Sequence, residues 1–174
     1  MDELTVEIEA KKINISKIIR SAWQKTIQKE EDILERGRSE RLFANKLACN
    51  LQNEIDNKLD EDLKIVVDSP YNKHLGETKW LKGKNIEIDI GVHTRDNDNN
   101  NILVIELETV NNPKRDDIWK VQNMTDLNNG NEYRYKYGLY LAIGIKSKAG
   151  DIIDEQWYIN GKLENIKIIS CTND

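Results

Sequence analysis

Two cysteines, two histidines, two prolines and one phenylalanine are the scarce residues of this 174-residue chain. Cys49 and Cys171 offer at most one disulfide and stand in no Cys-x-x-Cys or Cys/His ligand spacing, which excludes a zinc site of the usual kind. With His74 and His93 the only imidazoles and no Gly-x-Ser-x-Gly, Ser-His-Asp hydrolysis has little to build on, and no Gly-rich phosphate loop is present. Nine glycines and two prolines exclude collagen-like and low-complexity compositions. The longest apolar run, Leu139 to Ile145, is far short of the roughly 20 residues of a membrane span, and the acidic start Met1-Asp2-Glu3 is unlike a signal peptide. The expectation is a cytoplasmic protein without membrane contact.

Charge, by contrast, is abundant: 33% of residues are charged and 38% hydrophobic, with a net charge of −5. The length fits one domain. The acidic balance argues against bulk electrostatic attachment to nucleic acid but leaves room for a local basic patch. Chemistry, if present, rests on carboxylates.

From Ser16 to Leu34 apolar residues recur at helical spacing, and Ser39 is placed to cap a second helix in which Phe43, Leu47, Leu51, Ile55 and Leu59 follow at steps of four. The period then changes. Leu63 to Val67 is a short β-branched run, and Ile86 to His93 alternates with Ile86, Ile88, Ile90 and Val92 on one face. The polar stretch Arg95 to Asn101 turns the chain into Ile102 to Glu108, so these two strands are expected to form an antiparallel hairpin. A helix over about Pro113 to Leu127, a central strand over Tyr133 to Ile145, and a hairpin around Asn160-Gly161 running to Ile169 complete the order. The expectation is an α/β (α+β) domain with a mixed β-sheet flanked by helices.

Period two places Asp89 opposite the isoleucines of its strand, and Glu106 and Glu108 on one face of the next. Cross-strand neighbours lie about 5 Å apart, so three acids there repel unless a cation neutralises them or water reaches them. Hard divalent cations are held by such carboxylates. A solvated strand face is the competing reading. Glu40 extends the Ala44, Leu47 and Leu51 stripe of helix two, where it either joins the other acids or complements the helix dipole. Asp117 and Lys120 sit three apart on one helical face and are placed to pair.

A Glu in an early helix, a strand carrying Asp, a following strand carrying Glu-x-Glu and then a helix with Lys resembles the core of the PD-(D/E)xK nuclease superfamily. More closely, Ser39-Glu40-Arg41, Tyr71-Asn72-Lys73-His74, Asp89-Ile90-Gly91-Val92-His93, Leu103 to Glu108, and Asp117 to Lys120 before Thr125 look like an uncharacterised bacterial and phage family with that core. The resemblance spans Ser39 to about Ile145 and implies a restriction-endonuclease-like core over 39–174, with 1–38 packing on it. It implies that Asp89 and Glu106 hold Mg²⁺ or Mn²⁺ with the Leu107 carbonyl, that Glu40 supports the metal, and that Glu108 takes the place of the family's usual lysine. Glu108 then binds metal or activates water, with a pKa raised by neighbouring acids. Lys120 is the substitute lysine.

The activity implied is metal-dependent endonucleolytic hydrolysis of nucleic acid, DNA preferred. Tyr71, Lys73, His74, Lys79, Lys82, Lys114 and Arg115 are the expected nucleic-acid contacts, and a homodimer would suit double-strand cutting. The alternative is a catalytically inactive module of the same fold that binds nucleic acid or a protein partner, as would suit a phage or prophage factor in defence or counter-defence. The lysine-to-Glu108 departure feeds that alternative, as does Pro70 where that family usually carries an acid before Tyr-Asn.

Overall fold

The computed structural model describes residues 3–8, 11–37, 39–59, 61–71, 73–74, 77–94, 100–128 and 132–170. An N-terminal hairpin of β1 (Thr5–Ile8) and β2 (Lys11–Asn14) leads into α1 (Ile15–Glu35) and α2 (Glu40–Lys58). The strand β3 (Ile65–Asp68) is followed by two small hairpins, β4 (Lys73–His74) with β5 (Glu77–Thr78) and β6 (Trp80–Leu81) with β7 (Lys84–Asn85). Next come β8 (Ile90–Thr94), β9 (Leu103–Thr109), α3 (Ile118–Thr125), β10 (Tyr137–Ile143), β11 (Ile152–Ile159) and β12 (Lys162–Glu164). Six strands form one mixed sheet in the order β12-β11-β10-β9-β8-β3, with β9 and β10 parallel and every other pair antiparallel.

The mixed α/β expectation holds, and the layers follow from the residue pattern. All of β10 and Leu103 to Leu107 of β9 are buried, as parallel strands covered on both faces must be. One face of the sheet, with Ile90, Val92, Leu103, Ile105, Leu139 and Leu141, meets α1, α2 and the N-terminal hairpin. Trp23 of α1 packs edge-on against Phe43 of α2, with ring centres 5.9 Å apart. The opposite face carries α3. There Gly138 lets helix and strand touch: a Cβ on it would lie 2.4 Å from Val121 Cγ1 and 2.9 Å from Thr125 Cγ2.

Several boundaries differ from the sequence expectation, each for a local reason. The alternating run 86–93 becomes a strand only from Ile90, because the chain bends at Asp89; Ile86 and Ile88 therefore join the α3-side layer while Ile90 and Val92 join the main core. Likewise Tyr133 and Tyr135 pack on the α3 side and Tyr137 on the other, since β10 starts only at Tyr137 and the residues before it, with Arg134 at a positive φ of 49°, are not strand. The third helix starts at Ile118 instead of Pro113, because the Lys114 and Arg115 N–H groups donate to Glu108 and Arg115 has a φ of 63°. Strand β12 ends at Glu164, and Ile168 to Ser170 are pinned by the buried Glu155 carboxylate, which accepts from three backbone N–H groups, Ser170 Oγ and Trp157 Nε1. The Asn160-Gly161 turn is the expected primed type, with φ of 49° and 71°. The expected turn at Arg95 to Asn101 falls mostly on 95–99, outside the described residues, as does Cys171.

Candidate active site

The pairing of β8 with β9 ends at Ile90 against Ile105, and Asp89, at the bend one residue earlier, comes beside Glu106 and Leu107. Asp89 is fixed by the backbone: its Oδ2 accepts from Leu107 N–H at 2.8 Å. Glu106 is fully buried, and its Oε2 accepts from Lys120 Nζ at 2.6 Å. Lys120, on the first turn of α3, also reaches Asp117 Oδ1 at 2.9 Å and donates to the Glu87 carbonyl at 3.2 Å. Glu40, the first residue of α2, accepts from Thr109 N–H at 2.7 Å and feels the charge of Asp89. Four elements (α2, the bend before β8, β9 and α3) thus bring Glu40, Asp89, Glu106 and Lys120 to one place.

The charges there do not balance. Burial and the Asp89 charge push Glu106 well above the usual carboxylate range, although Lys120 pulls the other way. Burial likewise raises Asp89 and Glu40 against the N–H groups they accept from. Lys120 is itself held up, because Glu106 and Asp117 outweigh the cost of its burial. One ammonium therefore faces a pair of desolvated carboxyls within hydrogen-bond reach of each other, and the pair keeps a proton or needs another cation. Glu106 Oε1 is buried with no hydrogen-bond partner, which marks where that proton or cation belongs.

The side-chain donors brought together are hard oxygens, the carboxyls of Asp89 and Glu106, which suit Mg²⁺ or Mn²⁺ by ligand type. A set of three carboxylates is not assembled: among the described residues no three His, Cys, Asp or Glu side chains gather as a metal site. Glu108 is the member that leaves, a correction to the expected ligand set. Its carboxylate accepts from the Lys114 and Arg115 N–H groups and from Tyr140 O–H. Its pKa moves opposite to expectation: burial raises it, but these donors and the Lys114 charge bring it below the ordinary value.

The expected nucleic-acid contacts divide. Lys79 is a correction, for it is 2% exposed, with Nζ 4.0 Å from the Tyr71 ring centre and 4.7 Å from that of Tyr133. Its periodicity looked like a loop's because no sequence signal shows a lysine enclosed by two tyrosine rings. Tyr71 is half-buried and stacks on His93 at 4.3 Å. Lys82 and Lys114 are exposed, and Arg115 is engaged by Asp154 at 2.8 Å. The side chains of Lys73 and His74 lie outside the described residues. Thr109, which holds Glu40, was not singled out by the sequence, and Arg41, part of the Ser39-Glu40-Arg41 motif, lies 4.0 Å from Glu87. Trp23 and Trp157 are core, as their spacing implies.

No protein-family model, no curated protein and no solved structure matches the chain.

Proposed function

We propose that the chain is a metal-dependent nuclease built on a PD-(D/E)xK-like core, acting on phosphodiesters of nucleic acid, DNA foremost. The observation that carries this is Lys120 of the crossover helix set on Glu106, beside Asp89, in a helix, three-strand meander, crossover helix and parallel strand sequence. With the two small hairpins β4–β7 inserted between β3 and β8, the order α2-β3-β8-β9-α3-β10 supports a restriction-endonuclease-like reading of the core.

Asp89, Glu106 and the Leu107 carbonyl would hold a divalent cation, with Glu40 behind them. Such a cation supplies positive charge to a phosphoryl oxygen and acidity to an attacking water. Lys120 keeps its proton, and with its three N–H donors taken by Glu106, Asp117 and the Glu87 carbonyl it positions Glu106 and places a positive charge beside the acid pair. The Leu107 N–H fixes Asp89 and the Thr109 N–H fixes Glu40, so both carboxyls are oriented before substrate arrives.

A catalytically inactive binding module, with a nucleic acid or protein partner, is the second reading. It is favoured by Glu108, which stands at the position of the usual lysine and is taken up by backbone donors and Tyr140. The deciding experiment is cleavage of supercoiled plasmid, linear duplex, single-stranded DNA and RNA by wild type and Asp89→Ala, in Mg²⁺, Mn²⁺ and chelator. Cutting that needs metal and is lost in the variant supports the nuclease; no cutting of any substrate overturns it in favour of the binding module.

A further inference from the structure

The β6–β7 hairpin holds an indole out into solvent. Trp80 is 60% exposed, whereas Trp23 and Trp157 are buried. Its backbone is clamped: Trp80 N–H donates to Tyr133 Oη at 2.7 Å, and Tyr133 O–H donates back to the Trp80 carbonyl at 2.6 Å. Leu81 anchors the hairpin in the apolar layer under α3. Lys82 and Gly83 take φ of 48° and 77°, the pair of left-handed residues that makes a tight primed turn. The indole is thus presented on a stiff support with more than half of its surface open.

Two exposed lysines stand on the same hairpin: Lys82 in its turn, and Lys84, which pairs with Leu81 and so rises on the face opposite the indole. Lys84 Nζ lies 5.2 Å from the Trp119 ring centre, and the next residue along α3 is Lys120, which holds Glu106. The hairpin therefore packs beside the helix that serves the acid pair. An exposed aromatic face next to Lys82, on a hairpin beside a centre for phosphodiester cleavage, has the chemistry that recognises an unpaired base and a phosphate next to it. In an intact duplex the base faces are already stacked on one another and leave an indole nothing to cover.

We infer that Trp80 is a stacking platform for an unpaired base of the strand being cut, with Lys82 meeting a neighbouring phosphate. The substrate is then single-stranded or locally opened nucleic acid, an inference that rests on the nuclease reading. The test is anisotropy of short fluorescein-labelled oligonucleotides (single-stranded DNA, single-stranded RNA and duplex DNA) in Ca²⁺, with wild type, Trp80→Ala and Trp80→Phe, alongside cleavage assays of the same proteins in Mn²⁺. The melting temperature of each variant confirms folding. Trp80→Ala is expected to weaken single-strand binding about tenfold, to leave duplex binding unchanged, and to be largely rescued by Trp80→Phe. The RNA arm says which backbone is preferred. Equal single-strand affinity in wild type and Trp80→Ala, with cleavage retained, overturns the platform alone and points Trp80 at a protein contact. Wild type that neither binds nor cuts any of the oligonucleotides overturns the nuclease reading, and the platform with it.

Discussion

Lys120 Nζ and Glu106 Oε2 lie 2.6 Å apart, with the two side chains 13% and 1% exposed, so a single ion pair ties the crossover helix to the centre of the sheet. Replacing Lys120 by Met removes the one ammonium facing the acid pair. The expected result is a fall of about 10² in single-turnover cleavage rate, because Glu106 loses the side chain that positions it. Wild-type cleavage by a folded Lys120→Met protein would remove Lys120 from the site.

Asp89 and Glu106 have raised pKa values, burial being the largest cause, so in chelator the native state holds protons that the unfolded chain has already released. The stability this represents is complete below the ordinary carboxylate range and is lost as pH rises through the raised values. Glu106→Gln is therefore expected to melt higher than wild type at about pH 8 in chelator. Mn²⁺ should raise the wild-type melting temperature more at high pH than at low pH, and should do nothing for Asp89→Ala or Glu106→Ala. Thermal scans over a pH series check both signs, and a metal shift that survives in both alanine variants sinks the site.

Glu54 shows the opposite sign. It is buried between α1 and α2, and although burial alone raises its pKa, the Lys25 and Lys58 ammonium groups bring it down to about 2. Its contribution is present above its ordinary value of 4.5 and is lost as pH falls from there toward 2. Glu54→Gln should cost about 1–2 kcal/mol at neutral pH, allowing for the solvent that reaches both lysines, and nothing in strong acid. Urea melts at two pH values read this directly.

Gly138→Val would put a side chain where Val121 and Thr125 already stand. We expect α3 to lift and Lys120 to leave Glu106, so that activity and the metal shift fall more than the urea midpoint does. A variant that loses stability but keeps the metal shift would show that α3 does not set the site.

Glu108→Lys looks from sequence like the repair of a compromised centre. In the structure it would strip the Lys114 and Arg115 N–H groups and Tyr140 O–H of their common acceptor. The expected outcome is a loss of about 1–3 kcal/mol in stability with no gain in cutting, measured by urea melts and plasmid cleavage.

Where sequence reasoning succeeded, one physical period ruled the whole element. The stripe from Phe43 to Ile55 and the buried run from Leu103 to Leu107 are of that kind, and the pairing that brings Asp89 beside Glu106 followed from them. It failed where a single residue reset the phase. The bend at Asp89 sends Ile88 and Ile90 to opposite faces of the sheet, and Tyr135, before β10 begins, and Tyr137, its first residue, likewise part, which an alternation count cannot register. The N-terminal hairpin was overlooked although Val6, Ile8, Ile13 and Ile15 alternate and are buried. Glu108 was misplaced for a different reason. Sharing a face with Glu106 says nothing about whether a nearby loop supplies donors, and those on Lys114 and Arg115 do.

Because β9 and β10 run parallel, the chain between them must travel the length of the sheet and return, and α3 makes that journey with Lys120 aboard. The antiparallel pair β8 and β9 joins residues much nearer in the chain, whereas β3 and β8 are separated by both small hairpins. The acid pair is therefore complete as soon as β8 and β9 pair, but its counter-ion arrives only when the detour through α3 closes. Partial opening would release α3 first and return two like charges to each other with the sheet still intact. Hydrogen exchange at Val121 and Met124, compared with Ile105 and Leu107, would then time the lifetime of the active arrangement separately from that of the fold.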